Sequence, residues 1–186
     1  MIRCQRIRAY SNRPELIILT PLNKLAKLWI KKLKLHKHPE GGYFTNTYTS
    51  DKKIELRDYD GFRYSCTAIY YLLTGTQFAS FHIMKSDEIW HFYSGSSLTL
   101  HIIDSKGQLN KILVGPNLDE GERFQVIVKS GCWFAASINE KKSYSLVGCT
   151  VSPGFDYRDW KIGSRKKLSE KYPQHKKIIE KYTKAH

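Results

Sequence analysis

A chain of 186 residues, 41% hydrophobic and 13% aromatic, has the material for one sizeable core and is not the composition of a disordered protein. Its net charge of +14 sits at the ends: residues 1–39 carry ten bases against one acid and residues 156–186 ten against four, while residues 40–155 carry eleven against twelve. No apolar run approaches the ~18 residues that span a bilayer, and "LIIL" at 16–19 is too short for a signal-peptide core.

Residues 1–19, with Arg3, Arg6, Arg8 and Arg13, read as a basic extension rather than a transit peptide, leaving residues 20–186 as a single domain. Thr20-Pro21 is a helix start, a hydroxyl cap followed by proline in the first turn. Leu22, Leu25, Ala26, Trp29 and Leu33 recur at helical spacing behind it, with Lys24, Lys27, Lys31, Lys32 and Lys34 around them. The helix should end before "HPEGGYF", where Pro39 and Gly41-Gly42 break it. From there the pattern turns to period two. Strands are expected at 43–49, 63–74, 78–84, 88–94, 97–103, 110–115, 123–129, 132–138 and 143–151, separated by turn-like stretches such as "MKSD", "DSKGQ" and "NEKK". Many short strands with short connections predict a mainly β, antiparallel sandwich or barrel. The tail from Arg165 reads as helix again, split at Pro173, with Leu168, Tyr172, Ile178, Ile179 and Tyr182 as its apolar contacts.

Cys4, Cys66, Cys132 and Cys149 form no CxxC pair and read as small buried hydrophobes in a reducing compartment, hence a cytoplasmic protein. The basic ends attract polyanions in principle, but lysine is the common filler of exposed helix positions. They therefore read as solvated helix faces rather than as a nucleic-acid or membrane surface.

The stretch "FHIMKSDEIWHFYSG" carries the chemistry. Residues two apart on a strand share a face, so Ser80, His82 and Met84 share one, and Glu88, Trp90 and Phe92 share one on the next strand. If the turn at 85–87 sets these strands side by side, His82 and Glu88 meet in one pocket as a buried acid–base pair, with His91 pointing away. Gln125 would supply a third oxygen if a divalent metal were held by His82 and Glu88. Trp90, Phe92, Trp133, Phe134, Tyr43 and Tyr144 are the candidate aromatic walls for a ligand. Glu40 and Tyr43 in "HPEGGYF" read first as a tight structural entry into a strand, the alternative being that they cap the pocket mouth or cross to a dimer partner, and His36, His38, His101, His175 and His186 read as incidental.

These residues carry a resemblance. His82, Glu88 and Gly95 stand where the first cupin motif has a histidine, a glutamate and a glycine, but Met84 takes the place of its second histidine. In "KSGCWF" Lys129 replaces the second motif's proline, Gly131 fits, and Phe134 replaces its histidine. "HPEGGYFTNTY", "SCTAIYYLL", "SDEIWHFYSG", "GERFQVIVKSGCWFAA" and "SYSLVGCTVSPGFDY" together resemble successive blocks of the Cupin_5 family over roughly residues 20–185. The resemblance implies a double-stranded β-helix, or jelly roll, with flanking N- and C-terminal helices. It also implies a homodimer and a cavity of small-molecule size, in a family likened to seed-storage cupins, auxin-binding proteins and sugar epimerases. Thr49, where members often have arginine, is a departure that bears on anion recognition.

Three functions follow. The first is a small-molecule-binding cupin acting as an isomerase or epimerase on a sugar-like compound through His82 and Glu88, with no resident cofactor. The second is a metal-dependent cupin enzyme using His82, Glu88 and Gln125. The third is a non-catalytic module whose basic ends grip nucleic acid or anionic lipid.

Overall fold

The computed structural model describes residues 22–184. The basic extension, the Thr20-Pro21 helix start, Cys4 and His186 lie outside the described residues.

Helix α1 (Leu22–Lys32) leads into β1 (His36–Lys37) and β2 (Tyr43–Thr49), followed by a small hairpin of β3 (Lys53–Ile54) and β4 (Arg63–Tyr64). Then come β5 (Thr67–Thr74), β6 (Phe78–Met84), β7 (Asp87–Gly95), β8 (Leu98–Ile103), β9 (Leu109–Val114), β10 (Gln125–Val128), β11 (Trp133–Ile138) and β12 (Tyr144–Ser152). The chain closes with β13 (Trp160–Ile162), α2 (Arg165–Lys171) and α3 (Lys176–Lys181). The strands form a six-stranded sheet ordered β1-β2-β5-β12-β7-β10 and a five-stranded sheet ordered β13-β6-β11-β8-β9. Pairing in both is antiparallel, so the expected mainly β jelly roll with helices at its ends is the fold observed.

Period-two burial explains the layering. One face of each sheet contributes Leu73, Trp90, Leu98, Leu100, Val126, Phe134 and Val147 to the core between them. The opposite face of the five-stranded sheet, with Phe81, Ile103 and Ala135, is covered by Leu168, Ile179 and Tyr182 of the C-terminal segment. The opposite face of the six-stranded sheet, with Leu72, Tyr144 and Leu146, is covered by Ala26 of α1 and by Leu35, with Trp29 and Leu33 packed alongside. The described lysines of α1 stay exposed, so its basic face is solvated as its spacing implies. Three short pieces, β1, β3 and β13, are too brief to carry a readable alternation and were not expected, and the strand expected at 63–74 is broken into β4 and β5.

One expectation is overturned. β6 and β7 do not lie side by side: β6 pairs with β11 and β13, and β7 with β12 and β10, in opposite sheets. The turn at 85–87 is an arch between sheets rather than a hairpin. Its backbone groups are taken by other partners: Lys85 N–H donates to Asp159 O at 3.0 Å, and Lys85 O accepts from Tyr59 Oη and Ser130 Oγ. Asp87 then accepts from Ser130 N–H at 2.8 Å and from Lys129 Nζ, holding the β10–β11 turn against the arch. Beside it, Arg63 is 2% exposed and forks onto Asp159 at 2.6 and 3.0 Å while donating to the Asp60 and Phe62 carbonyls. This clamp fixes the β3–β4 hairpin against the segment 155–160 that flanks the cavity.

Candidate functional site

A cavity of about 390 Å³ opens between the two sheets. Its wall is largely apolar and aromatic, with Phe44 and Ile69, Tyr71 and Trp90, and Phe155 and Tyr157 among the lining residues; Tyr71 and Trp90 meet edge to face at 5.7 Å. Two carboxyl groups interrupt that wall, Glu40 and Glu88. Both are more than nine-tenths buried.

Glu88 reaches the cavity because even positions of β7 face the interior beside Trp90. Trp90 Nε1–H donates to Glu88 Oε2 at 3.0 Å, and the Cys149 thiol also hydrogen-bonds to this carboxyl. Burial outweighs both contacts and pushes Glu88 up to about 7.

Glu40 comes from the loop before β2, and the glycine after it explains how. Gly41 has φ +127°, and a Cβ there would stand 2.1 Å from the Phe78 carbonyl oxygen. Only a residue without a side chain lets the loop press onto β6 and turn Glu40 inward. Tyr71 Oη donates to Gly41 O at 2.7 Å and Ser80 N–H to Glu40 O at 3.0 Å, locking the loop. Within the site Trp160 Nε1–H donates to Glu40 Oε1 at 2.5 Å, and His82 Nε2 lies 3.4 Å from the same oxygen. Burial first, then the nearby Glu88, raises Glu40 well above the usual carboxylate range; Trp160 and Lys184 oppose that shift.

His82 therefore pairs with Glu40, not with Glu88. Its Nδ1 lies 2.8 Å from Ser80 O, which can only accept, so Nδ1 carries the proton and Nε2 presents its lone pair to Glu40. Burial holds His82 down at about 3, so the ring is neutral at physiological pH. It stands behind Glu40, against Phe134 at 3.9 Å between ring centroids, and is not a lining residue. His38 does line the cavity. Its Nδ1 accepts the Glu40 backbone N–H at 3.3 Å, and burial lowers it to about 4.

Among the residues expected to bind a ligand, the structure brings Trp90 and Glu88 to the cavity, with His82 and Phe134 just behind its wall. Six others do not line it, most of them because their parity or local pairing is the wrong one. Tyr43 and Tyr144 face α1, where Tyr144 Oη accepts from Trp29 Nε1 at 3.1 Å. Trp133 packs against the C-terminal helices. Ser80 sits at a register shift between β6 and β11 and donates to Tyr182 O. Gln125 is exposed on the edge strand β10. Phe92 packs on the main core but does not line the cavity. His91 lies on the other face of β7, its Nε2 3.1 Å from Thr150 Oγ1.

Sequence reasoning missed Glu40 and His38 as site residues, together with Tyr71 and Cys149. A signal existed for two of them: Cys149 has the parity of inward Val147 and Val151, and Glu40 precedes two adjacent glycines at a strand entry. His101, expected to be incidental, is buried under the C-terminal segment, stacked on Tyr182 at 4.5 Å.

The structure does not gather the donor set expected for a divalent metal: Gln125 is exposed on the edge strand β10 opposite His91, Phe134 has no donor atom, and His82 directs its lone pair at Glu40. Among the described residues no group of three or more His, Cys, Asp or Glu side chains is arranged to hold one.

Residues 27–163 match Cupin_5, described as cupin superfamily (DUF985). The uncharacterised protein YML079W of Saccharomyces cerevisiae is 30% identical over 152 residues, 75% of this chain and 75% of its own. Among solved structures, protein SO0799 from Shewanella oneidensis is 37% identical with a TM-score of 0.80, over 87% of this chain and 98% of that one. A hypothetical protein from Leishmania major is 36% identical, also at 0.80, over 86% and 99%. Oxalate decarboxylase from Bacillus subtilis is similar in fold alone, at 14% identity and a TM-score of 0.52 over 81% of this chain and 37% of that one.

Proposed function

The chain belongs to the Cupin_5 family of the cupin superfamily, and from that membership and the geometry of its cavity we propose that it binds a small organic molecule between its sheets and moves a proton on it, as an isomerase or epimerase does. The observation that carries this reading is the pair of buried carboxyls, Glu40 and Glu88, in one aromatic cavity. Glu88, titrating near neutrality, is suited to take a proton from a carbon next to a carbonyl. Glu40, held as the acid, is suited to give one from elsewhere on the wall, and His82 Nε2, 3.4 Å from its Oε1 behind the wall, helps to fix the carboxyl's position. In this reading Glu88 and Glu40 are the catalytic residues and His82 is a positioning residue. Trp90 and Tyr71 offer flat faces to a sugar-like or aromatic ligand.

The test is wash-in of solvent deuterium. A panel of aldoses and ketoses is incubated with the protein in D₂O and followed by proton NMR. Exchange at a carbon adjacent to the carbonyl is expected, reduced about 10²–10⁴-fold in Glu88→Gln with the melting temperature retained. Exchange that persists unchanged in Glu88→Gln removes Glu88 from the chemistry. A sugar that binds without any exchange reduces the protein to a binding module.

The wider setting is proposed on the same footing. A homodimer through the outer face of the six-stranded sheet would cover Tyr48, Tyr93 and Ile127, each about half exposed. Light scattering on a sizing column should show a dimer that Ile127→Asp converts to monomer; a monomeric wild type ends that proposal. A reducing, cytoplasmic setting is supported by the free thiols of Cys66, Cys132 and Cys149, and no described helix is long and apolar enough to cross a membrane.

A further inference from the structure

The charge pattern of the cavity wall narrows the ligand. Among the described lining residues there are two carboxylic acids and neither lysine nor arginine. Lys184, whose field reaches Glu40, is not on the wall; its Nζ donates to Pro39 O. Glu40 is 6% exposed, yet its Oε2 receives no hydrogen bond among the described residues. His38 Nδ1 lies 3.8 Å from it, and that atom already accepts the Glu40 backbone N–H. A carboxyl oxygen that opens onto the cavity without a protein donor is a position where a ligand donor can take the place of water. Around it stand two runs of rings in contact. His38, Phe44, Tyr71 and Trp90 form one, with His38 4.5 Å from Phe44 and 5.7 Å from Tyr71. Phe155, Tyr157 and Trp160 form the other, at 5.0 and 5.9 Å between neighbours.

We propose that the ligand of this cavity is an organic cation, an amine-bearing molecule whose ammonium group lies between Glu40 and Glu88 with its hydrocarbon part against the aromatic rings. The proposal rests on the reading of the cavity as a ligand site and deepens it. An ammonium group donates to the open Glu40 oxygen while Glu40 stays the acid, and its charge is met by Glu88, which gives up its proton near neutrality. The rings attract it through their negative faces and exclude water. A phosphate or carboxylate would find no lysine or arginine among the described lining residues and would oppose the ionisation of Glu88, so the wall favours a cation over an anion. The remaining polar wall groups, Asn46, Thr49, Tyr64 and Thr67, are neutral and leave the charge preference to the two glutamates.

The experiment compares 2-phenylethylamine, 2-phenylethanol and phenylacetate, one scaffold in three charge states, by calorimetric titration and melting temperature on the full chain. The amine is expected to bind at least ~10-fold more tightly than the alcohol, and phenylacetate not at all. The isosteric variants Glu40→Gln and Glu88→Gln are each expected to cut the amine's advantage over the alcohol to about threefold or less. Equal binding of amine and alcohol overturns the cation preference and leaves the ligand cavity standing. Silence of all three probes in the wild type overturns the preference and the cavity reading together. Stabilisation by manganese or zinc chloride that expels the amine would hand the carboxyls to a metal and overturn the proposal.

Discussion

Gly41→Ala is expected to destabilise the fold by at least ~4 kcal/mol, lowering the melting temperature by about 10 °C. The new Cβ would lie 2.1 Å from the Phe78 carbonyl oxygen, and that atom belongs to the backbone of β6 and cannot swing aside. The φ of +127° adds strain for any L side chain. Gly121→Ala is the control. It shares a positive φ, +77°, but a Cβ there meets nothing within 4 Å, so the expected cost is about 1 kcal/mol. The change at Gly41 should also remove the site, because the loop that backs away from Phe78 carries Glu40 with it. Urea unfolding of both variants gives the comparison. Equal, small costs at the two positions would show that the loop does not press on β6 as described.

Stability is also expected to fall as pH rises from 6.5 to 8.5. Glu88 titrates at about 7 in the folded chain and Glu40 well above its usual range, against 4.5 for an ordinary glutamate. The folded state thus holds protons that the unfolded chain releases. Their contribution is complete below about pH 4.5 and is lost as pH climbs through the folded values. The buried histidines act in the opposite sense. His82 is held at about 3, and His38 and His101 at about 4, so their contribution is complete above pH 6.5 and is lost as pH falls towards those values. Between pH 4.5 and 6.5 the two sets oppose each other; above 6.5 only the carboxyls act. Each carboxyl still protonated in the fold costs about 1.4 kcal/mol per pH unit there; Glu88, dropping out near 7, accounts for about 1 kcal/mol of the loss, and Glu40 adds to it in the same direction. Glu40→Gln combined with Glu88→Gln should flatten this alkaline slope in urea titrations at the two pH values. A wild type equally stable at both, or a double variant with the same slope, would mean these carboxyls are ionised in the folded state.

The same two carboxyls explain why the site is built as it is. Buried acids without a described cation on the wall are tolerable only as acids, each with donors on one oxygen: Trp90 for Glu88, Trp160 for Glu40. That state is suited to proton transfer at neutral pH, and it is also what an ammonium ligand would discharge. The stability that a cavity of this kind forgoes as pH rises is the cost of keeping both groups out of water.

Much of this protein was legible in its residues because the signals are local. Period-two alternation placed the strands from Tyr43 to Val151 within one or two residues at most ends, Pro173 divided the C-terminal helices, and the motif blocks identified the jelly roll. Parity along β7 put Glu88 and Trp90 on one face and His91 on the other. Pairing across the molecule is a different kind of fact. Whether Lys85–Asp87 is a hairpin or an arch depends on Asp159, Tyr59 and Ser130 competing for its backbone, and none of these is near in sequence. That competition sent β6 and β7 to opposite sheets and separated His82 from Glu88. The partner His82 gained, Glu40, comes from a loop 42 positions earlier, turned inward by a glycine pressed on a distant carbonyl. Residue types and strand periods carry the fold and the presence of an acid–histidine chemistry; which acid meets which histidine is decided by contacts that form only when the sheets close on each other.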